Sequence, residues 1–253
     1  MTDIQAVILC GGLGMRLRDT VPGVPKALAP ISGRPFLDFL LAGLAATGVR
    51  EVVLCTGHGS ETIEAEYGND GRCGLSIRYS VEREALGTGG ALKLAQRWIH
   101  SQTFLLLNGD SLLDADFEQL LSAHWTSGAI ASVALSQVSS PERYGSVTVE
   151  ANGEIRRFAE KRAATWSMAD QMAFKHQLIN AGVYALSRNI LEMIPDAPPE
   201  VSLERDVLPT LIGRGLFGFV SEGFFIDIGV PEDYQRAQTE IPERMNRAST
   251  HSR

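Results

Sequence analysis

The stretch Ala6-Val7-Ile8-Leu9-Cys10-Gly11-Gly12-Leu13-Gly14-Met15-Arg16-Leu17, with Pro25-Lys26 close behind, decides how this chain is to be read. An apolar strand opens into a loop carrying three glycines within four positions and an arginine, with a lysine just beyond. Glycine loses the most backbone entropy on folding, so such a cluster calls for a compensating contact. Close approach of bare N–H groups to a phosphate, with cations alongside, supplies one. The loop therefore points to a nucleotide. It is not a Walker-type loop, because no Gly-x-x-x-x-Gly-Lys-Ser/Thr is present. Nor is it Gly-x-Gly-x-x-Gly, because Leu17 stands where the last glycine should be. Taken alone, the same residues also suit a tight strand-to-helix turn with a surface arginine.

Composition sets the outer bounds. A chain of 253 residues at 44% hydrophobic can bury a proper core. A net charge of -7 argues against nucleic acid as a partner, so any bound anion must be held by local cations and backbone. Cys10, Cys55 and Cys73 are odd in number and lack metal-like spacing, which suits reduced core thiols in a cytoplasmic protein. No basic region followed by an apolar stretch opens the chain, and no run approaches about 18 apolar residues. The expectation is a soluble, cytoplasmic protein without a membrane partner. A homo-oligomer and a monomer are equally compatible with this composition.

Outward from the opening strand, short apolar runs alternate with amphipathic segments. Strands are expected at Ala6–Leu9, Glu51–Cys55, Leu75–Tyr79 and Thr103–Leu107, and helices at Pro35–Thr47, Ser60–Tyr67 and Gly90–Ile99. Pro35 at a helix start and Gly48 after its end follow the usual asymmetry. Strands separated by helices of this length imply an α/β fold with a mostly parallel, doubly wound sheet. In such sheets ligands sit outside the carboxyl ends of the strands. The segments after Leu9, Cys55 and Leu107 should therefore line one crevice. Later, Ala129–Leu135 is another apolar run, and Gly145–Val149 and Glu154–Phe158 flank Asn152-Gly153, a hairpin signal. Gly182–Leu186, Leu216–Val220 and Phe224–Ile228 read as strands, and Arg188–Ile194, Leu203–Ile212 and Pro231–Glu240 as helical. The expected organisation is one domain over residues 1–240, its halves meeting near residue 128, with a flexible tail over 241–253.

Further segments carry chemistry. In Glu82-Arg83-Glu84-Ala85-Leu86-Gly87-Thr88-Gly89-Gly90-Ala91, small residues would let a planar group lie on the backbone, and Glu82 can accept from the ring N–H of guanine or uracil. A flexible loop with a solvated Glu82 fits equally. In Leu105-Leu106-Leu107-Asn108-Gly109-Asp110 a carboxylate directly follows a buried strand, where its charge is costly without a cation. Magnesium suits it, taking one or two carboxylates and leaving positions for phosphate oxygens. Asp114 and Asp116 precede a helix, so capping explains at least one of them better. Asp227, in Phe224-Phe225-Ile226-Asp227-Ile228-Gly229, closes another apolar run, and with Asp110 would complete a minimal Mg²⁺ site. Glu160-Lys161 and Asn180-Ala181-Gly182 offer partners for sugar hydroxyls and a sugar phosphate, although Glu-Lys pairs are commonly solvated surface. The five histidines form no spacing pattern, and none is assigned a role.

Together, Gly11-Gly12-x-Gly14-x-Arg16-Leu17, Pro25-Lys26, Leu86-Gly87-Thr88-Gly89-Gly90-Ala91, Asn108-Gly109-Asp110, Glu160-Lys161, Asn180-Ala181-Gly182 and Asp227-Ile228-Gly229 resemble the sugar-1-phosphate nucleotidyltransferases, in order and over about residues 4–240. Within that superfamily the chain looks most like the D-glycero-D-manno-heptose 1-phosphate guanylyltransferases. Arg143-Tyr144-Gly145 and the ending Phe225-Ile226-Asp227-Ile228-Gly229-Val230-Pro231-Glu232-Asp233-Tyr234 carry that likeness. The resemblance implies a three-layer, Rossmann-like mixed sheet, mostly parallel, with helices on both faces. Residues 1–128 would bind the nucleotide and 129–240 the sugar phosphate.

By the same resemblance, Leu9, Gly11, Gly12, Gly14 and Met15 would hold the nucleotide and its phosphates, with Arg16 and Lys26 neutralising charge. Glu82, Gly87 and Thr88 would face the base. Asp110 and Asp227 would bind Mg²⁺. Asn108, Gly109, Tyr144, Gly145, Glu160, Lys161 and Asn180 would receive the sugar phosphate. Met15 departs from the family, which has threonine there, so a side-chain phosphate contact is lost unless backbone N–H groups replace it. The implied reaction is in-line attack of a sugar-1-phosphate oxygen on the α-phosphorus of a nucleoside triphosphate, releasing pyrophosphate. The nucleophile is already an anion, so positioning and charge neutralisation by Arg16, Lys26, Asp110, Lys161 and Mg²⁺ would do the work. GTP is favoured mildly, because guanine adds an exocyclic amine for Glu82. A uridylyltransferase, a mannose-1-phosphate guanylyltransferase and a non-catalytic sugar-nucleotide sensor are the rivals.

Overall fold

Residues alternate between two cores along each apolar run. In β1 (Gln5–Leu9), Ala6 and Ile8 enter one buried cluster and Val7 the other. In β4 (Glu51–Thr56), Val52 and Leu54 face the first and Val53 and Cys55 the second. In β6 (Thr103–Asn108), Leu105 and Leu107 oppose Phe104 and Leu106 in the same way. A strand buried on both faces needs a layer of helices on each. The first layer comprises α1 (Phe36–Ala46), α2 (Ser60–Tyr67), α4 (Phe117–Thr126) and α5 (Pro231–His251). The second contains α3 (Gly87–Ala95) and the turns at Leu203–Val207 and Leu208–Leu211. The computed structural model describes residues 4–12, 17, 20–68, 72–138, 144, 146–159, 177–196 and 200–251.

The sheet has a parallel half and a largely antiparallel half. With β5 (Ser76–Val81), β11 (Gln177–Ser187), β9 (Ser146–Val149) and β10 (Ile155–Ala159), the strand order is β10-β9-β11-β6-β1-β4-β5. β1 pairs in parallel with both β4 and β6, and β4 with β5. β11 runs antiparallel to β6, to β9 and to β8 (Ala131–Val138), and β8 pairs in parallel with β12 (Leu216–Ser221). The chain leaves β1 toward β4 and β5, then returns to its other side at β6. That reversal makes the carboxyl end of β1 a topological switch point, where a crevice must open. Two short antiparallel pairs border it: β2 (Pro30–Ile31) with β3 (Arg34–Pro35), and β7 (Ser111–Leu113) with β13 (Phe225–Asp227).

Several sequence expectations shift. Helix α3 begins at Gly87, not Gly90, and tightens into a 3-10 turn at Gln96–Trp98. Leu203–Ile212 is a π turn followed by a 3-10 turn, with Pro209 inside. The largest difference is at the end of the chain, where α5 runs through Pro242 to His251 instead of giving way to a flexible tail at residue 241. Proline inside a helix leaves the carbonyl four residues earlier without its N–H. Here that carbonyl belongs to Gln238, and Ser32 Oγ donates to it at 2.7 Å. Ile241 is also buried in the first core, so packing draws the helix past its breaker. Among the described residues, no helix is long and apolar enough to cross a membrane.

Candidate functional site

Three chain segments converge at the end of β1. Cys10 N donates to Cys55 O at 2.7 Å, and Gly109 N to Leu9 O at 2.9 Å, which lashes the exits of β1, β4 and β6 together. The segments after Leu9, Cys55 and Leu107 thus meet along one edge, as strand patterning implies. Cys10 is buried here and its thiol is pushed up to about 12 by burial, then by the Asp110 charge, so it is an inert packing group.

On this edge stands a cluster of charge. Lys26 Nζ donates to Asp110 Oδ2 at 2.5 Å and lies 3.9 Å from Asp227 Oδ1. Lys26 starts a 3-10 turn whose next two residues, Ala27 and Leu28, are buried and anchor it. The β7–β13 pair places Asp227 opposite Ser111, and Ile228 N donates to Asp110 O at 2.9 Å. Two aspartates 117 positions apart in sequence are therefore held to one lysine by backbone pairing (227 minus 110). Burial works to raise the Asp110 carboxyl, but the charge and hydrogen bond of Lys26, with Ser111, outweigh it and hold it below the usual range. Asp227 goes the other way, to about 6, through burial and repulsion by Asp110, against the pull of Lys26 and a 2.7 Å hydrogen bond from Gly229 N. Asp110 keeps 37% of its side chain exposed toward the crevice. Two carboxylates that share one ammonium and repel each other are a donor set suited to a hard divalent cation. No cluster of three or more His, Cys, Asp or Glu residues with metal-site geometry occurs among the described residues.

Across β4, Glu82 lies over the loop after β1. Its Oε2 accepts from Leu86 N at 3.2 Å. A Cβ on Gly11 would stand 2.5 Å from Glu82 Oε1, so a side chain at residue 11 would displace the Glu82 carboxylate. Burial raises the Glu82 carboxyl, partly offset by the Leu86 N–H. Gly87 has a second constraint on it. With φ +73, a Cβ there would run into the Val201 carbonyl, and Gly89 N and Gly90 N both donate to that oxygen at 2.8 and 3.2 Å. The close approach these glycines permit is to the protein's own backbone, which also caps α3. Thr88 Oγ1 is turned the same way, donating to Glu204 Oε2 at 2.6 Å and accepting from Leu203 N at 2.8 Å.

Along β11, Asn180 Nδ2 donates to Tyr184 OH at 2.7 Å, and Asn180 Oδ1 accepts from Gly182 N at 3.0 Å. Asn108 lies against Gly182, whose missing side chain makes room for its amide. Asn108 Oδ1 is buried and meets no hydrogen-bond donor among the described residues. Tyr144 packs edge-on against Phe225 at 5.7 Å and its hydroxyl lies 3.5 Å from Asp233 Oδ2. Asp116 caps α4, accepting from Gln119 N at 3.0 Å, as its position suggested. Gly14, Met15, Arg16, Gly145, Glu160 and Lys161 lie outside the described residues, while Leu9 and Gly109 are joined by the 2.9 Å hydrogen bond at the strand exits and Gly12 is exposed. Sequence reasoning missed Tyr184 and Glu204. Glu204 carried no distinguishing signal, because it stands first in the charged triplet Glu204-Arg205-Asp206.

Known proteins resemble this chain in sequence and in fold. A model of the nucleotidyl transferase family matches residues 5–244. The D-glycero-alpha-D-manno-heptose 1-phosphate guanylyltransferase of Aneurinibacillus thermoaerophilus is 37% identical, covering 94% of this chain and 98% of that protein. The mannose-1-phosphate guanylyltransferase of Mycobacterium tuberculosis is 36% identical over 94% of this chain, which spans 65% of that protein's length. The crystal structure of HddC from Yersinia pseudotuberculosis complexed with GMP-PN superposes with a TM-score of 0.77 at 30% identity, covering 94% of this chain and 99% of that one.

Proposed function

We propose that this chain, which belongs to the nucleotidyl transferase family, transfers a guanylyl group from GTP to a sugar 1-phosphate and releases pyrophosphate. D-glycero-D-manno-heptose 1-phosphate is the acceptor we favour, because a relative that matches nearly the full length of both chains is named for it. The mannose 1-phosphate enzyme is the second reading, supported by similar identity over a longer relative. The observation that carries the reaction is the Lys26–Asp110–Asp227 cluster at the carboxyl end of the parallel strands, beside the Gly11–Gly12 turn.

Each group then has a task. Bringing two polyanions together is the obstacle, so fixed positive charge and positioning lower the barrier. Lys26 presents an ammonium already oriented by Asp110, and exposed backbone at Gly11 and Gly12 faces the phosphates. Glu82, held by Leu86 N, accepts from the ring N–H and exocyclic amine of guanine. Asn180 and Asn108 face the acceptor. Asp110 and Asp227 are the residues that would hold Mg²⁺, which when bound supplies positive charge at the phosphate oxygens. No general base is required, because the attacking phosphate oxygen is already ionised. Free Cys10, Cys55 and Cys73 support a reducing, cytoplasmic setting.

The test is pyrophosphate release from each of four nucleoside triphosphates, with heptose 1-phosphate and mannose 1-phosphate as acceptors. GTP with the heptose should be fastest. A preference for ATP or CTP, whose bases lack that ring N–H, would overturn the role given to Glu82. A preference for UTP would overturn the choice of guanine, and GTP binding without turnover on any acceptor would leave a sensor.

A further inference from the structure

Glu204 is buried (8% exposed) and, among the described residues, is met by hydroxyl groups and no cation. Thr88 Oγ1 donates to its Oε2 at 2.6 Å, Ser202 Oγ to the same oxygen at 3.0 Å, and Tyr184 OH to Oε1 at 3.1 Å. A carboxylate has no hydrogen to give, so each hydroxyl must point its own hydrogen inward. Tyr184 has one hydroxyl hydrogen. Once that is committed to Glu204, its oxygen can only accept from Asn180, at 2.7 Å. The Asn180 amide is thereby fixed with Nδ2 toward Tyr184 and Oδ1 toward Gly182 N, at 3.0 Å.

Backbone geometry makes this chain of contacts possible. Residues four apart on a regular strand are separated by roughly 13 Å, too far for a side-chain hydrogen bond. Between Asn180 and Tyr184 the register of β11 against β8 shifts, and Gly182 takes φ +72. That bulge swings Asn180 onto the Tyr184 hydroxyl and brings Gly182 against Asn108. Asn180 Nδ2 keeps a second hydrogen that meets no acceptor among the described residues.

We propose that Glu204 is a positioning residue that acts through Tyr184 to hold Asn180 as a hydrogen-bond donor toward an oxygen of the acceptor sugar phosphate. The inference rests on the acceptor side assigned above. It adds a direction: with Oδ1 taken up by Gly182 N, Asn180 offers the ligand its remaining Nδ2 hydrogen, so it recognises a phosphate or hydroxyl oxygen. Because the same carboxylate holds Thr88 at the start of α3, one buried group ties the acceptor side to the glycine segment beside Glu82.

Tyr184→Phe keeps the ring and removes the relay. It should raise KM for the sugar 1-phosphate about tenfold, the size of one ordered hydrogen bond, while KM for the triphosphate stays within about twofold. Asn180→Ala should then cost far less in the Tyr184→Phe background than in wild type. Glu204→Gln, which can turn a donor toward Tyr184, should resemble Tyr184→Phe on the acceptor. A merely structural network would lower thermal stability and shift both KM values alike. A readout independent of turnover is the ¹⁵N–¹H signal of the Asn180 side-chain amide, assigned by its loss in Asn180→Ala. Both Tyr184→Phe and Glu204→Gln should move it. An unmoved amide signal in folded variants, or additive effects in the double mutant, overturns the relay. Failure of GTP turnover with the amide still moving would instead count against the proposed reaction alone.

Discussion

At the β1 exit, one ammonium stands 2.5 Å from the Asp110 carboxylate and 3.9 Å from that of Asp227. At the β11 bulge, one buried carboxylate meets three hydroxyls and, through one of them, an amide. The first arrangement depends on charge, which acts over several ångströms and tolerates small displacements. The second depends on hydrogen direction, which a single wrong donor reverses. In the proposed reaction the division makes sense. The triphosphate brings most of the negative charge and needs neutralising, whereas the sugar must be told apart by where its oxygens lie. The two sides should therefore fail differently when altered.

The charged side should fail hardest. Asp110→Asn or Lys26→Ala should lower kcat by about 10²-fold or more, the range for losing one well-placed charged group. KM for the sugar should move little. Near-wild-type pyrophosphate release from either variant would break the comparison at its strongest point.

Acid should weaken the antiparallel half. His124 is buried between Ser132 Oγ and Ser187 Oγ, each at 3.0 Å, and joins α4 to β8 and β11. Burial lowers its pKa to about 4 from an ordinary 6.5. A base lowered in this way stays neutral in the folded protein and takes a proton more readily unfolded. The stability it confers is complete above pH about 6.5 and is lost progressively down to about 4, roughly 3 kcal/mol in all. Denaturant midpoints of wild type and His124→Gln, followed from pH 7 to 4.5, should diverge in slope. Parallel curves would remove His124 from the account.

Glu82 joins the two sides and should give a smaller effect. Glu82→Gln retains the volume beside Gly11 but replaces one acceptor oxygen with a donor. We expect about a tenfold fall in kcat/KM for GTP with KM for the sugar unchanged, the cost of one charge-assisted hydrogen bond. Equal losses on both substrates would mean that Glu82 shapes the crevice without reading the base.

Charge at strand ends was legible in the sequence. Asp110 and Asp227 each close an apolar run; either alone suits a turn or a cap, and it is the pair, read with the glycine loop on one sheet edge, that points to a site. The Glu204 relay was not legible, because its members at 88, 180, 184, 202 and 204 are common residues without a shared spacing. Only a bulge that periodicity does not announce brings Asn180 to Tyr184. Glycines in the sequence show where something comes close and not what it is. At residues 11 and 87 alike they mark a close approach, but what approaches is a side chain in the first case and the Val201 backbone in the second. A cluster of glycines records that something comes near without recording what.

The same limit applies to Pro242, and it supplies the smallest test. Proline predicts an end to the helix from local chemistry alone, and α5 continues because a distant residue restores the lost bond. Ser32, held at φ +47 in the β2–β3 turn, donates its hydroxyl to Gln238 O, while Gln238 Nε2 and Tyr234 OH both donate to Pro30 O. Ser32→Ala should therefore cost about 1 kcal/mol, since it leaves a carbonyl short of one partner at a partly hydrated site. In Pro242→Ala the helix supplies its own N–H to Gln238 O, so adding Ser32→Ala to it should cost nearly nothing. Neither variant should change KM for the triphosphate or the sugar, because α5 reaches the charged cluster only through its first turn. A Ser32→Ala loss of equal size in both backgrounds would show that the turn stabilises α5 by packing and not by completing the broken ladder.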